Sequence, residues 1–168
     1  MSQDTREFDS HRLRKSTISA FLTTHHPLLL TSAIITRYMY FTKLLIESLI
    51  TFLAIDALWI TQVASPWMKK TTPHLMAETP NLIAALAFYL IYLSGLLYLI
   101  IMPALSSKLG YPTLALHSFI FGFVAYATYD LTNLAVMKGF PLSMAVADMI
   151  WGGILTMLTA LVIYRLNI

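Results

Sequence analysis

The chain has 168 residues, 58% of them hydrophobic and 11% charged, with 11 Lys and Arg, 8 Asp and Glu and no cysteine. So few charges, against about 25% in a soluble domain, together with a mean hydropathy of +0.71, all but exclude a water-soluble fold, and the missing cysteines exclude disulfides, thiolate metal sites and a cysteine nucleophile. The net charge of +3 comes from Lys and Arg beside apolar runs, where they read as topology signals, and no basic stripe interleaved with exposed aromatics points to nucleic acid as a partner.

Residues 1–40 form an N-terminal extension, tail or interfacial segment. Charged residues from Asp4 to Lys15 precede a mixed stretch that His25, His26 and Pro27 interrupt, so no unbroken apolar run of about 20 residues develops. The basic cluster lacks the unbroken apolar region and cleavage site of a signal peptide. Met39, just ahead of the first good span, is an alternative start. His11, His25 and His26 have no ligand spacing and read as a solvated tail.

Four segments follow, 44–64, 81–101, 113–137 and 143–164, each long enough to cross about 30 Å of hydrocarbon as a helix. They predict an all-α, integral membrane four-helix bundle over residues 41–168, with the lipid bilayer as its surroundings. Of all the chain's charged residues only Glu47, Asp56, Asp130 and Asp148 fall inside them. The first segment carries Glu47 and Asp56 and ends near Trp67, Lys69 and Lys70, which mark an interface. The second holds Tyr89, Tyr92 and Tyr98, read as packing or interface residues, and Pro103 closes it. The third holds His117, Asp130 and Asn133, and its Ser118 and Gly122, four apart, form a weak close-approach motif. The short link Lys138-Gly139-Phe140-Pro141 makes the third and fourth segments antiparallel neighbours, with Pro141 placed to begin the last helix. That helix carries Asp148 and Trp151.

For an even number of spans, Arg6, Arg12, Arg14, Lys15, Arg37, Lys43, Lys108 and Arg165 lie on the side of the termini, against Lys69, Lys70 and Lys138 opposite. This excess favours cytoplasmic termini. With Met39 as the start it becomes a tie.

Helical rise sorts the acids by depth. At 1.5 Å per residue, Asp56, Asp130 and Asp148 lie about 12, 10 and 8 Å from segment ends that share one side of the membrane. Asn133 stands one turn beyond Asp130, and Trp59 and Trp151 stand three residues after Asp56 and Asp148. A carboxylate at the centre of a membrane helix costs about 2.5 to 3.5 kcal/mol, so three at one level should face inward together. One reading is a polar pocket between the first, third and fourth helices whose acids exchange protons or hold a cation. The other is that each acid hydrogen-bonds a neighbour and fastens helices together. Oxygen ligands alone would suit Mg²⁺ or Ca²⁺ rather than Zn²⁺, and no metal site or cofactor is assigned. Glu47 and His117 share the opposite layer, where a pair between them is possible and snorkelling is favoured. No Ser, His and acid share one depth, which argues against a hydrolase triad, and the catalytic residues, if any, stay unknown.

FLAIDA with LWI, PNLIAALAFYLIYLSG, FGFVAYATYDLTNLAVMKGFPL and DMIWGG resemble a family of small bacterial four-span membrane proteins of unknown function (domain of unknown function 2177). The resemblance covers residues 40–166. It sets Asp56, Trp59, Tyr126, Tyr129, Asp130, Asn133, Lys138, Gly139, Asp148 and Trp151 on the family's motifs, and implies a bacterial inner-membrane protein with a contextual link to lipid-modifying enzymes. Three functions are therefore open: proton- or cation-linked transport or sensing, an enzyme or accessory in lipid modification, and a structural subunit. Four spans are few for a solute pathway, which makes a homodimer plausible.

Overall fold

The computed structural model describes the backbone of residues 3–168 and the side chains of residues 31–168. The helices are α1 (Gln3–Trp59), α2 (Ser65–Thr71), α3 (Leu82–Leu96), α4 (Met102–Ser107), α5 (Tyr111–Val136) and α6 (Leu142–Asn167). Among the described residues four stretches are long and apolar enough to cross a membrane: Thr31–Thr71, Leu82–Ser107, Tyr111–Val136 and Leu142–Asn167. All are helical, as a bilayer demands, because no water is at hand to satisfy an open backbone.

The chain divides into two compact units, Met1–Thr42 and Lys43–Ile168. In the first, residues 31–40 are exposed, and the hydroxyls of Thr36 and Thr42 donate to the carbonyls of Ser32 and Tyr38. His11, His25 and His26 lie outside the residues whose side chains are described. Everything below concerns the second unit.

Two prolines shape this unit. Pro66 and Pro103 each stand at the second residue of a helix, α2 and α4, and each is preceded by a π-helical turn, Ile60–Ala64 and Leu97–Ile101. The Ser65 N–H reaches back five residues to the Ile60 carbonyl, and the Met102 N–H does the same to Leu97. Proline lacks the N–H of an α-helical ladder and its ring crowds the carbonyl four residues back; widening the preceding turn relieves both problems without ending the helix. Pro103 therefore does not close the second span, which continues to Ser107. The first continues likewise through Pro66 to Thr71.

Helix starts and stops follow local chemistry. The Asn81 side chain accepts from the Ala84 N–H at 3.0 Å and so caps α3. Lys108 takes a left-handed conformation (φ 51°) after α4, and its successor Leu109 donates to the Ala104 carbonyl. Gly139 turns the chain between α5 and α6 at φ +83°, a value open to glycine at little cost. Pro141 sits at the N-cap of α6, one residue before the first helical position.

Close packing between α5 and α6 depends on missing side chains. A Cβ on Gly122 would collide with Thr156 Oγ1 and the Gly152 carbonyl, and one on Gly152 would enter the Tyr126 ring. Ser118, also on α5, is fully buried. The Ser118 and Gly122 motif, faint in the sequence, thus marks a helix seam. Lipid offers no hydrophobic drive between helices, so such close backbone approach supplies the van der Waals contact that holds them. Phe52, Leu93, Leu96, Leu114, Leu155 and Ile163 belong to the fully buried core.

Hydrogen bonds tie α1 to α6 in reverse order. Asn167 joins Lys43 and Glu47, Trp151 joins Asp56 and Trp59 joins Asp148. Numbers rise along α1 as they fall along α6, so the two helices are antiparallel. Glu47 also faces Lys43 at 3.4 Å; its partners are Lys43 and Asn167, and a Glu47–His117 pair does not form. Tyr164 Oη donates to the Leu109 carbonyl at 2.7 Å and anchors the α4–α5 link to the last helix.

Candidate functional site

Asp56 and Asp148 sit on antiparallel neighbours, each followed three residues later by a tryptophan. Positions three apart share a helix face, so Asp56 and Trp59 look out of α1 side by side, as Asp148 and Trp151 look out of α6. Antiparallel pairing sets each acid against the other helix's indole. Trp59 Nε1 donates to Asp148 Oδ1 at 3.0 Å and Trp151 Nε1 donates to Asp56 Oδ1 at 3.2 Å. The two indoles stack between the acids, their centroids 4.9 Å apart and their planes 9° from parallel. The result is a crossed clasp, two hydrogen bonds on either side of one indole stack.

A third donor comes from α3. Tyr89 Oη donates to Asp56 Oδ2 at 3.1 Å, so both oxygens of this 5% exposed carboxylate are engaged. One turn along, Tyr92 Oη and Thr156 Oγ1 share a 2.5 Å hydrogen bond, and Thr156 in turn donates to the Gly152 carbonyl. Phe52 packs edge-on against Tyr89, 5.8 Å between centroids, and holds its ring in place.

Beside the clasp lies a cavity of about 430 Å³. Asp56, Trp59, Ile60 and Ala64 bound it from the first span, Phe88 and Tyr89 from α3, Ala125, Tyr126 and Tyr129 from α5, and Met144 and Asp148 from α6. Ile60 and Ala64 are the two ends of the first π-helical turn, a feature that recurs at functional sites because it re-aims neighbouring side chains. Among the described residues no Lys, Arg or His lines the cavity. Among those residues the hydrogen-bonding partners of the two carboxylates are neutral donors.

Of the three aspartates placed at one level by helical rise, the structure brings Asp56 and Asp148 to one cavity. Asp130 is 1% exposed but does not line that cavity. It lies within electrostatic reach of Asp148, and its Oδ2 has no hydrogen-bond partner among the described residues. Asn133 is half-buried and makes no hydrogen bond to any of the three. Trp59, Tyr126 and Tyr129 line the cavity, and Trp151 stands behind it in the stack. Tyr89 is the site residue that sequence reasoning missed: it lies about 10 Å along α3 by helical rise, the same level as the acids, and a tyrosine at that depth needs a hydrogen-bond partner. Among the described residues no group of three or more His, Cys, Asp and Glu is arranged to hold a metal ion.

Comparison with curated proteins gives no match, and comparison with solved structures gives none either. A family model described as "Predicted membrane protein (DUF2177)" matches residues 41–165, a stretch that begins ahead of Asp56 and ends beyond Trp151. With four apolar helices long enough to cross a bilayer and three quarters of its length inside that match, the chain belongs to the DUF2177 family of predicted membrane proteins.

Proposed function

We propose that the protein is a cation- or proton-linked transport or sensing protein, with Asp56 and Asp148 as the groups that take the cation or the proton and Asp130 as a third acid behind them. One observation carries this reading: two carboxylates share a cavity within the membrane-spanning part that no basic residue lines among the described residues. An uncompensated carboxylate at that depth is costly, so a site of this kind is completed by a positive charge, either a proton or a cation. The indole and phenol donors hold the carboxylates in fixed orientation without neutralising them.

The decisive measurement is proton or cation flux into liposomes containing the purified protein, with D56N and D148N alongside. A flux that both variants lower at least tenfold, while circular dichroism and size-exclusion profiles stay unchanged, is the expected result. Wild-type protein that moves no proton or cation, and carboxyl infrared bands that do not respond between pH 5 and 9, would overturn it.

The crossed hydrogen bonds favour a second reading, a structural subunit whose acids fasten α1 to α6. An amide oxygen still accepts from an indole N–H, so on that reading D56N and D148N keep both stability and phenotype. As for placement, the Lys and Arg distribution supports cytoplasmic termini, and the family resemblance a bacterial inner membrane. We take the working unit to be a homodimer, since four spans enclose little space for a pathway; crosslinking in native membranes tests this.

A further inference from the structure

We propose that the cavity beside the tryptophan stack is a binding site for an alkylammonium cation. This deepens the cation-linked reading of the same site and rests on it. A small inorganic cation needs a shell of oxygen ligands, whereas five of the eleven lining residues here are aromatic. Trp59, Phe88, Tyr89, Tyr126 and Tyr129 contribute rings from three of the four spans. An aromatic face attracts a cation through its quadrupole, and several faces around one space suit a bulky, weakly hydrated ammonium. The volume, about 430 Å³, lies in the range of small-molecule sites and is far more than a bare metal ion fills.

Charge sets the sign of the ligand and the stack sets the geometry. Asp56 and Asp148 supply negative charge with no basic residue among the described lining. One face of the Trp59 ring is covered by Trp151, and Trp59 also lines the cavity. Among the described residues Asp56 has both oxygens hydrogen-bonded, whereas Asp148 has only Oδ1 engaged. Asp148 is therefore the carboxylate with an oxygen left to approach the ammonium. The same chemistry occurs in a choline headgroup, but a headgroup also brings a phosphate, for which the lining has no cationic partner. The cavity thus fits a free alkylammonium rather than a phospholipid.

Tryptophan fluorescence reads occupancy directly, since the chain has 3 tryptophans and Trp67→Phe leaves only the stacked pair. The probe is choline, with 3,3-dimethyl-1-butanol as its neutral isostere and sodium chloride at matched ionic strength, added to the full chain in phosphatidylglycerol nanodiscs. A saturable fluorescence change with choline alone, weakened at least tenfold by D148N and by Tyr129→Leu, is expected. Tyr129 is exposed, so its replacement tests the site even where the aspartate variant fails to fold. An equal response to the neutral isostere would mean a plain apolar pocket, and response to sodium alone an inorganic cation site; either overturns the proposal. Choline binding lost in phosphatidylcholine nanodiscs would assign the site to the lipid headgroup and overturn the free-cation form. Proton or sodium flux that D56N abolishes, combined with no choline response, would sink the ammonium site while leaving the cation-linked reading intact.

Discussion

The crossed clasp makes a quantitative statement about single residues. Trp59→Phe and Trp151→Phe keep an aromatic ring in the stack and remove only the N–H that reaches the opposite carboxylate. A hydrogen bond to a charged group contributes about 1.5 to 3 kcal/mol in water-soluble proteins, whereas membrane interhelical bonds average nearer 0.6 kcal/mol because the separated helices find other partners. Each substitution should therefore destabilise the folded protein by about 1 kcal/mol in detergent unfolding followed by circular dichroism. Trp59→Phe should be the more harmful of the two, because Asp56 keeps Tyr89 while Asp148 loses its one neutral donor. Asp130 should behave in the opposite sense. It is buried with one oxygen unpartnered, and an unpaired buried polar group costs about 1 to 3 kcal/mol. D130L removes both the charge and the unpartnered polar group, so it should raise stability by about 1 kcal/mol in the same unfolding assay while lowering flux. Unchanged flux in a stabilised D130L would remove Asp130 from the working site.

At the scale of helices, the glycines of the α5–α6 seam and the two prolines decide how the elements meet. Gly152→Ala drives a methyl group into the Tyr126 ring, and overpacking of this kind costs about 1 to 3 kcal/mol. It should also disturb the cavity, because Tyr126 is part of its wall. Gly95→Ala is the matched control: its methyl group would meet Phe121 at 3.6 Å, ordinary contact, and stability should hold within about 0.5 kcal/mol. Pro103→Ala restores an N–H to the ladder, and the turn Leu97–Ile101 should tighten toward α-helical geometry, with slower amide hydrogen exchange over residues 97–104. Exchange as fast as in the natural chain would mean that something other than the proline holds that turn open. Proline read as a stop signal is sound for soluble helices. In a span the same residue leaves the helix running, because in lipid an abandoned ladder has nowhere else to bond.

At the scale of the whole molecule, the order of spans fixes which loops share a side. The chain is naturally free of cysteine, so a single introduced cysteine reports its own location. Cysteines at positions 78 and 138, both exposed, should react with a membrane-impermeant maleimide from one side, and those at 108 and 168 from the other. Labelling of 78 and 108 from the same side would break the four-span arrangement. In bacterial cells the first pair should be the one reached from the periplasm, as the Lys and Arg distribution implies.

What the sequence determined by itself was everything that runs along one axis. The bilayer imposes a length and a polarity on each span, and a helix advances a fixed distance per residue, so the all-α membrane class, four crossings and the shared depth of Asp56 and Asp148 can be read from residue numbers. The spacing of Asp56 to Trp59 and of Asp148 to Trp151 was equally plain. The tertiary structure decided direction around each helix and choice of partner. Only the rotation of α1 against α6 turns two local spacings into a crossed pair. The rotation of α5 puts Tyr126 and Tyr129 on the cavity wall and leaves Asp130 off it, and the placement of α3 brings Tyr89 to Asp56. Rotation and partner choice are set by which glycines and serines let two backbones approach, a property of pairs of helices that no single stretch of sequence contains.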